Sequence, residues 1–317
     1  MIVTLTVNPS LDRTLHVGRL ERGAVLRTGE PLMEPGGKGV NVSRALVANG
    51  IPSVAVLPVA GGEGAEMSRL LDLEGVTARF VPVSGRTRSN ITVTEADGSV
   101  TKLNEPGQSL ADADLAVLGE VLAAATASGD WVVVSGSMPP GLTSPRLHGL
   151  LAAATSRGAH LAIDSSGDAL VASLAARPRL IKPNRAELSE LTGRELASIA
   201  DVVSAAEAVR ERGVELVLVS LGADGAVLVG PSGTLVGESR IDRQRSAVGA
   251  GDCFLAGFLS RFAVDEADAG AALVEALAWG AAAASLPGTA VPSPDDIDHE
   301  NVRLVWQPDL DRPIVAT

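Results

Sequence analysis

Short runs of valine, isoleucine and leucine alternate along the chain with longer segments in which apolar residues recur every three or four positions. The short runs predict buried strands, and the longer segments predict helices. Strands are predicted at residues 2–7, 53–58, 131–135, 160–164, 180–182, 215–220 and 225–229. Helices are predicted at residues 39–49, 66–73, 112–125, 144–156, 166–174, 185–191, 202–212, 250–262 and 269–285. This order predicts an α/β fold with a mostly parallel central sheet and helices on both of its faces.

Two stretches interrupt this alternation and predict a second, smaller sheet. Residues 15–32 contain few helix signals. Residues 79–104 alternate apolar and polar positions around Asp97-Gly98, which is a hairpin turn signal. No internal repeat or linker divides the chain, so residues 1–317 are predicted to form a single domain.

The composition excludes several classes of function. The 317 residues carry a net charge of −12 without a basic block, which argues against nucleic acid as a partner. Hydrophobic residues make up 46% of the chain, but no apolar run reaches the length of a membrane span. The amino-terminal residues favour a strand over a signal peptide. A cytoplasmic protein without a membrane partner is therefore expected.

The segment Gly249-Ala250-Gly251-Asp252 precedes an apolar helical run and carries the strongest chemical signal. A helix start leaves backbone N–H groups without intrahelical partners, and small residues let an anion approach them closely. Asp252 would lie in the first turn beside that anion. Transfer of a phosphoryl group to a hydroxyl requires at least an anion-binding site next to a carboxylate base. The alternative is an ordinary helix start with an acidic first turn.

A glycine-rich segment with a lysine, Pro35-Gly-Gly-Lys-Gly-Val-Asn41, precedes another predicted helix. Gly37 allows close backbone approach, Lys38 supplies a cation and Asn41 supplies an amide, a set that suits a polyol or a sugar phosphate. The spacing is not that of a Walker A loop. Lys38 and Lys182 are two of only three lysines in the chain, which makes both candidates for specific contacts. The alternative is a flexible entry to the helix.

Asn184 and Glu187 are three residues apart at a predicted helix start, so their side chains share a face. An amide and a carboxylate there could hold a hydrated Mg²⁺, which retains several waters and takes few protein ligands. The alternative is a capping box, in which the two side chains satisfy the first N–H groups of the helix.

Four further positions are candidates for ligand contacts, each with a plainer alternative. The segment from Ser220 to Gly225 is either a nucleotide loop or a simple hairpin, and Ser137 lies in a loop that follows a strand. Ligands in open α/β sheets bind beyond the carboxyl ends of the strands. Arg88, together with Arg86, is either part of a phosphate clamp or an exposed arginine, and Asp12 is either a sugar ligand or a turn residue.

The order of these motifs along the chain resembles that of the ribokinase-like sugar kinases, and within them the phosphofructokinase-B (PfkB) branch. The resemblance spans roughly residues 2–290. Its motifs are Asn8-Pro-Ser-Leu-Asp12, Gly36-Gly-Lys-Gly-Val-Asn41, Gly85-Arg-Thr-Arg88, Ser135-Gly-Ser-Met-Pro-Pro-Gly141, Asp164-Ser-Ser-Gly167, Lys182-Pro-Asn-Arg-Ala-Glu187, Ser220-Leu-Gly-Ala-Asp-Gly225 and Gly249-Ala-Gly-Asp252.

The resemblance implies roles for residues in most of these motifs. It implies a catalytic group made of the base Asp252 and an anion hole from the backbone of Gly249, Ala250 and Gly251. It implies sugar-phosphate contacts at Asp12, Arg27, Gly37, Lys38, Asn41, Arg88 and Ser137. It implies nucleotide contacts at Lys182, Asn184, Glu187, Ser220, Gly222 and Gly225. Asn184 and Glu187 would hold Mg²⁺ indirectly, through water.

The resemblance further implies a three-layer α/β/α sandwich with a small β-sheet lid formed by residues of about 12–34 and 79–105. It implies an ATP-dependent kinase that converts fructose 1-phosphate to fructose 1,6-bisphosphate. Tagatose-6-phosphate kinase and 6-phosphofructokinase remain alternatives, because their ketose phosphates differ only in phosphate position or one stereocentre. A catalytically silent sensor of nucleotide or sugar phosphate is a different class, and the intact Asp252, Asn184 and Glu187 argue against it.

The lid leads to an expectation about assembly. Ile91, Val93 and Val100 are expected to share one apolar face by period-two alternation. A small sheet is marginal unless something covers it, and a lid that opens cannot provide a permanent cover itself. A homodimer joined through the two lids, with Val93 facing the partner, is therefore predicted.

Overall fold

A computed structural model describes residues 1–241 and 245–315. The strands are β1 (Ile2–Leu5), β2 (Ser10–Val17), β3 (Leu32–Gly36), β4 (Ser53–Val59), β5 (Thr77–Pro82), β6 (Arg88–Glu95), β7 (Val100–Asn104), β8 (Trp131–Ser135), β9 (His160–Asp164), β10 (Leu180–Ile181), β11 (Leu216–Ser220), β12 (Ala226–Gly230), β13 (Gly233–Ser239) and β14 (Val302–Leu304). The helices are α1 (Lys38–Ala48), α2 (Gly61–Leu73), α3 (Asp112–Ala125), α4 (Ser144–Thr155), α5 (Gly167–Ser173), α6 (Arg185–Thr192), α7 (Ile199–Arg210), α8 (Ala250–Phe262) and α9 (Ala269–Ser285).

Ten strands form the main sheet in the order β14-β13-β12-β11-β10-β9-β8-β1-β4-β5. The strands from β11 to β5 are parallel, whereas β12, β13 and β14 extend the sheet by antiparallel pairing. Apolar side chains leave β8 alternately toward two separate cores, with Val132 and Val134 in one and Trp131 and Val133 in the other. Helices cover both faces, so the predicted three-layer α/β sandwich is confirmed.

The second sheet has four strands in the order β3-β2-β6-β7. Strand β2 pairs in parallel with β6, and β6 and β7 form the predicted hairpin around Asp97-Gly98. The predicted lid boundary at residue 79 is wrong, because Thr77–Pro82 pairs with β4 at the edge of the main sheet. Alternation identifies a strand but does not say which sheet it joins. The name lid is used below for β2, β3, β6 and β7.

The predicted apolar face of the lid holds for Ile91 and Val93 but is wrong for Val100. Val93 lies opposite Thr101, whereas Val100 lies opposite Thr94, so Val93 and Val100 point to opposite faces. Val93 is already buried within one chain, at 7% exposure. Period-two alternation does not fix the register of a hairpin, and a step of one residue in the register moves a side chain to the other face.

Two predicted helices begin earlier than the sequence pattern indicated. Helix α2 begins at Gly61 rather than residue 66, because three glycines in its first turn conceal the helical pattern. Helix α7 begins at Ile199 rather than residue 202, after Ser198, whose side chain accepts a hydrogen bond from the N–H of Asp201. No helix among residues 1–241 and 245–315 is long and apolar enough to cross a membrane.

Candidate active site

Four charged side chains from distant parts of the chain meet at the carboxyl edge of the main sheet. Asp164 is the last residue of β9, Lys182 follows β10, Lys38 begins α1, and Asp252 lies in the first turn of α8. Lys38 Nζ and Lys182 Nζ lie 3.0 Å and 3.4 Å from Asp164 Oδ1. We call Lys38, Asp164, Lys182 and Asp252 the charged corner.

The start of α8 has the geometry that an anion site requires. Gly249 precedes the helix with φ of 77°, a left-handed conformation that favours glycine. The helix begins at Ala250, so the N–H groups of Ala250 and Gly251 have no carbonyl partner one turn earlier in the helix. Two backbone donors and the positive end of the helix dipole therefore face the charged corner.

The carboxylate of Asp252 is buried, at 5% exposure, beside this helix start. Asn41 Nδ2 donates a hydrogen bond to Asp252 Oδ2 at 2.8 Å. Burial, followed by the nearby charge of Asp164, raises the pKa of Asp252 to about 7, although Lys38, Asn41 and Lys182 oppose the rise. A general base works best when its pKa is near the pH at which it operates. The arrangement thus suits Asp252 to accept a proton at neutral pH.

Asn41 therefore contacts the predicted base directly, as well as lying in the predicted sugar segment. Its other amide atom, Oδ1, lies 3.4 Å from Nη1 of the buried Arg44. The same Nη1 donates to the carbonyl oxygens of Pro35 and Thr289, and the guanidinium also binds both carboxylate oxygens of Glu74. Sequence reasoning missed Arg44; the available signal was an arginine within an otherwise apolar stretch of helix.

Two of the predicted glycines make room for this site. Gly37 has φ of 112°, and a Cβ there would lie 2.7 Å from Thr6 Cγ2. A Cβ on Gly36 would lie 2.5 Å from the Asp12 carboxyl carbon. Any side chain at either position would displace Asp12 or the first strand's end, so the segment needs glycine for close approach.

Lys38 remains an ammonium in this environment. Burial favours the neutral amine, but the negative charges of Asp164, Glu187 and Asp252 outweigh it and raise the pKa of Lys38 above its usual value. Lys38 Nζ also lies 3.7 Å from Glu187 Oε1. This cation thus lies between the predicted sugar residues and the predicted nucleotide residues.

Asn90 joins the predicted sugar-phosphate residues of the lid. Its Nδ2 donates to Asp12 Oδ1 at 2.8 Å and to Ser10 Oγ at 2.9 Å, and its Oδ1 accepts from Arg88 Nη1 at 2.9 Å. Arg88 also donates to the carbonyl oxygens of Asn8 and Glu105. Backbone and amide acceptors hold the guanidinium here, and within the described residues no carboxylate forms a salt bridge with it.

Ser137 and Arg27 complete the predicted sugar contacts. Ser137 Oγ accepts a hydrogen bond from Asn8 Nδ2 at 3.2 Å, which connects it to the carbonyl that Arg88 binds. Arg27 lies in the exposed segment 18–31, outside any strand or helix. No hydrogen bond or ion pair among the described residues connects the Arg27 side chain to the others, so the structure does not bring it to the site.

The predicted nucleotide residues lie on neighbouring elements. Asn184 and Ser220 form a parallel bridge, which places the two motifs side by side. Asn184 caps α6, and Glu187 Oε2 accepts from the Asn184 N–H, so the capping box is confirmed.

The segment Ser220–Gly225 is an antiparallel hairpin with a 3₁₀ turn at Gly222–Asp224. A Cβ on Gly225 would collide with the carbonyl oxygen of Gly237.

Sequence comparisons identify the family. A model of the pfkB family carbohydrate kinases matches residues 7–292. The 1-phosphofructokinase of Haloferax volcanii is 37% identical over 302 residues, covering 94% of this chain and 95% of that protein. The chain belongs to the pfkB family of carbohydrate kinases. Both the predicted family and its fold are confirmed.

Two further comparisons with Escherichia coli proteins limit what the family alone says about this pfkB kinase. The 1-phosphofructokinase of E. coli (strain K12) is 36% identical over 267 residues, covering 81% of this chain and 83% of that protein. Phosphofructokinase-2 from E. coli, solved in complex with potassium, has a TM-score of 0.89 and 35% identity over 93% of this chain and 96% of that one. Overall identity thus does not separate the two named enzymes.

Proposed function

We propose that this pfkB kinase transfers the γ-phosphoryl group of ATP to a hydroxyl of a ketose phosphate, and that fructose 1-phosphate is its preferred acceptor, giving fructose 1,6-bisphosphate. The observation that carries the proposal is the buried Asp252 with a pKa of about 7 beside the first N–H groups of a helix, which have no carbonyl partner one turn earlier in that helix. Curated relatives named 1-phosphofructokinase at 35–39% identity support the choice of acceptor.

In the proposed mechanism, Asp252 accepts the proton of the attacking hydroxyl. Asn41 holds Oδ2 of Asp252, which leaves Oδ1 for the acceptor. The N–H groups of Ala250 and Gly251 face the negative charge that develops on the transferred phosphoryl group. Lys38 and Lys182 add positive charge, and Lys182 Nζ lies close to Gly251, 3.5 Å from where a Cβ on that glycine would be. Phosphoryl transfer depends mainly on such positioning and charge stabilisation.

Mg²⁺ fits this site through water rather than by direct ligation. Asn184 Oδ1 and Glu187 Oε2 are used by the helix cap, so Glu187 Oε1, which lies 3.7 Å from Lys38 Nζ, is the oxygen that would face a hydrated ion. No group of three or more His, Cys, Asp or Glu side chains forms a metal cage in the part of the chain that the structure describes. Such an ion would neutralise charge on the phosphate oxygens of ATP. Ser220, Gly222 and Gly225 are the proposed nucleotide contacts.

The lid supplies the proposed acceptor site. Arg88 would bind the phosphate already present on the sugar, and Asp12 would bind sugar hydroxyls, with Asn90 holding both side chains in place. Tagatose 6-phosphate and fructose 6-phosphate remain alternative acceptors. The intact charged corner disfavours a non-catalytic sensor, because binding alone does not require a general base with a pKa near neutral pH.

The proposal extends to a homodimer joined through the lids. Leu32 lies opposite Thr14, and Val100 lies opposite Thr94, so both share the lid face that carries Asp12. They are 49% and 54% exposed, and a second lid would cover them. The cytoplasmic location expected from the sequence stays a prediction.

The test is ATP turnover with fructose 1-phosphate, fructose 6-phosphate and tagatose 6-phosphate, each followed as ADP release and as sugar bisphosphate formed. We expect the highest kcat/KM with fructose 1-phosphate. Higher kcat/KM with another ketose phosphate would correct the acceptor but keep the reaction. Binding of ATP and ketose phosphates without bisphosphate formation would favour the sensor.

A further inference from the structure

Asp164 is the one member of the charged corner to which neither the sequence motifs nor the proposed mechanism gives a role. Its side chain is completely buried at the end of β9. Oδ1 accepts from Lys38 Nζ at 3.0 Å and lies 3.4 Å from Lys182 Nζ. Oδ2 is buried and has no hydrogen-bond partner among the described residues. A buried carboxylate with one oxygen unpaired is costly, which calls for an explanation beyond packing.

The two lysines that meet at Asp164 come from different parts of the molecule. Lys38 begins the helix that follows lid strand β3, whereas Lys182 precedes the helix that Asn184 caps. A lysine ammonium is a compact charge on a flexible stem and loses considerable freedom when it is fixed. One shared oxygen atom fixes both ammonium groups relative to each other and to the sheet.

Asp252 lies against this group, so the charges that face it come from several elements. Asp164 faces it from β9, Lys38 from α1 and Lys182 from the segment after β10, while Asn41 donates to it from α1. Removal of Asp164 takes away the one like charge in this set. It also frees both lysines, whose charges already act on Asp252, from their shared partner. Both changes favour the charged form of the base.

We propose that Asp164 is a positioning residue that holds the ammonium groups of Lys38 and Lys182 beside the catalytic base, where they act on the phosphoryl group in transfer. The inference rests on the proposed kinase function. It assigns to Asp164 an effect that operates through the lysines and the base, and no direct contact with substrate.

A double-mutant cycle tests this dependence. Asp164→Asn, which keeps the side-chain shape, should lower kcat by about 10- to 100-fold, a coupling of the size seen for residues in one network. In a Lys38→Met background the same change should cost less than about threefold, because its main target is already gone. Equal losses in both backgrounds would overturn the proposal. Asp168→Asn, which removes an exposed carboxylate four residues away, is the matched control and should leave kcat unchanged.

The pH dependence of kcat/KM separates positioning from a merely structural role. In Asp164→Asn the acidic limb of the profile should move to lower pH than in the wild type, because the base becomes easier to ionise. A variant with the wild-type melting temperature, lower kcat and an unmoved limb would contradict the proposal.

Lysine labelling tests, without any turnover, whether Asp164 holds the Lys38 ammonium in place. The chain has only three lysines, and Lys102 is exposed on β7, far from Asp164 along the chain, so it serves as an internal standard. After brief treatment with an acylating reagent, mass spectrometry should show a several-fold higher ratio of Lys38 to Lys102 modification in Asp164→Asn than in the wild type. An unchanged ratio would contradict the proposal that Asp164 holds Lys38 in place. An inactive wild type in which the ratio still rises would instead contradict only the kinase function.

Discussion

The charged corner and the lid stabilise their charged side chains in different ways. In the charged corner, two carboxylates and two lysines meet on the rigid edge of the main sheet, and burial raises the pKa of Asp252 to about 7. In the lid, the neutral amide of Asn90 lies between Asp12 and Arg88, and backbone carbonyls complete the contacts of Arg88. We infer that the charged corner governs the chemical step and that the lid governs binding of the acceptor.

The largest expected effect is at the base. Asp252→Asn keeps the shape of the side chain but cannot accept a proton, so kcat should fall by about 10²–10⁴-fold. ADP binding, measured by calorimetry, should remain near the wild-type value because the nucleotide residues lie on other elements. Near-normal turnover in this variant would remove Asp252 from the role of base.

The next effect separates the lid from the charged corner. Arg88→Ala should raise KM for the sugar phosphate by about 10- to 100-fold, in line with the ~1.5–3 kcal/mol of a hydrogen bond to a charged group. KM for ATP should stay nearly unchanged. Arg86→Ala is the matched control, since Arg86 is an exposed neighbour that pairs with Glu105 and Glu63. A matched rise of KM for both ligands would indicate general damage to the lid.

The smallest expected effect concerns the exposed face of the lid. Val100→Asp places a charge where the second lid is proposed to pack, so the dimer should weaken and kcat should fall by only a few-fold. Val264→Asp is a suitable control, because Val264 is 81% exposed just after α8 and belongs to neither sheet. Sedimentation that shows a fully active wild-type monomer at assay concentration would rule out the dimer as a requirement.

Most of the main sheet could be predicted from the sequence, because buried parallel strands are short apolar runs that local pattern identifies. Strands β13 and β14 were missed, since β13 contains only two large apolar residues and β14 is only three residues long. The base and the glycine segments were also recognisable as motifs. The roles of Asp164 and Arg44 were not, because they depend on contacts between distant residues. Lys38 and Asp164, for example, are hydrogen-bonded although 126 positions separate them.

The pH profile of kcat/KM tests the central claim most directly. A base must be deprotonated to act, so activity should be full above the pKa of Asp252 and fall about tenfold per pH unit below it. The account predicts an acidic limb near pH 7 that moves to lower pH in Asp164→Asn, where the neighbouring negative charge is gone. A profile without a limb between about pH 5 and 8 would contradict Asp252 as the base, and a limb that stays in place in the variant would contradict the role of Asp164.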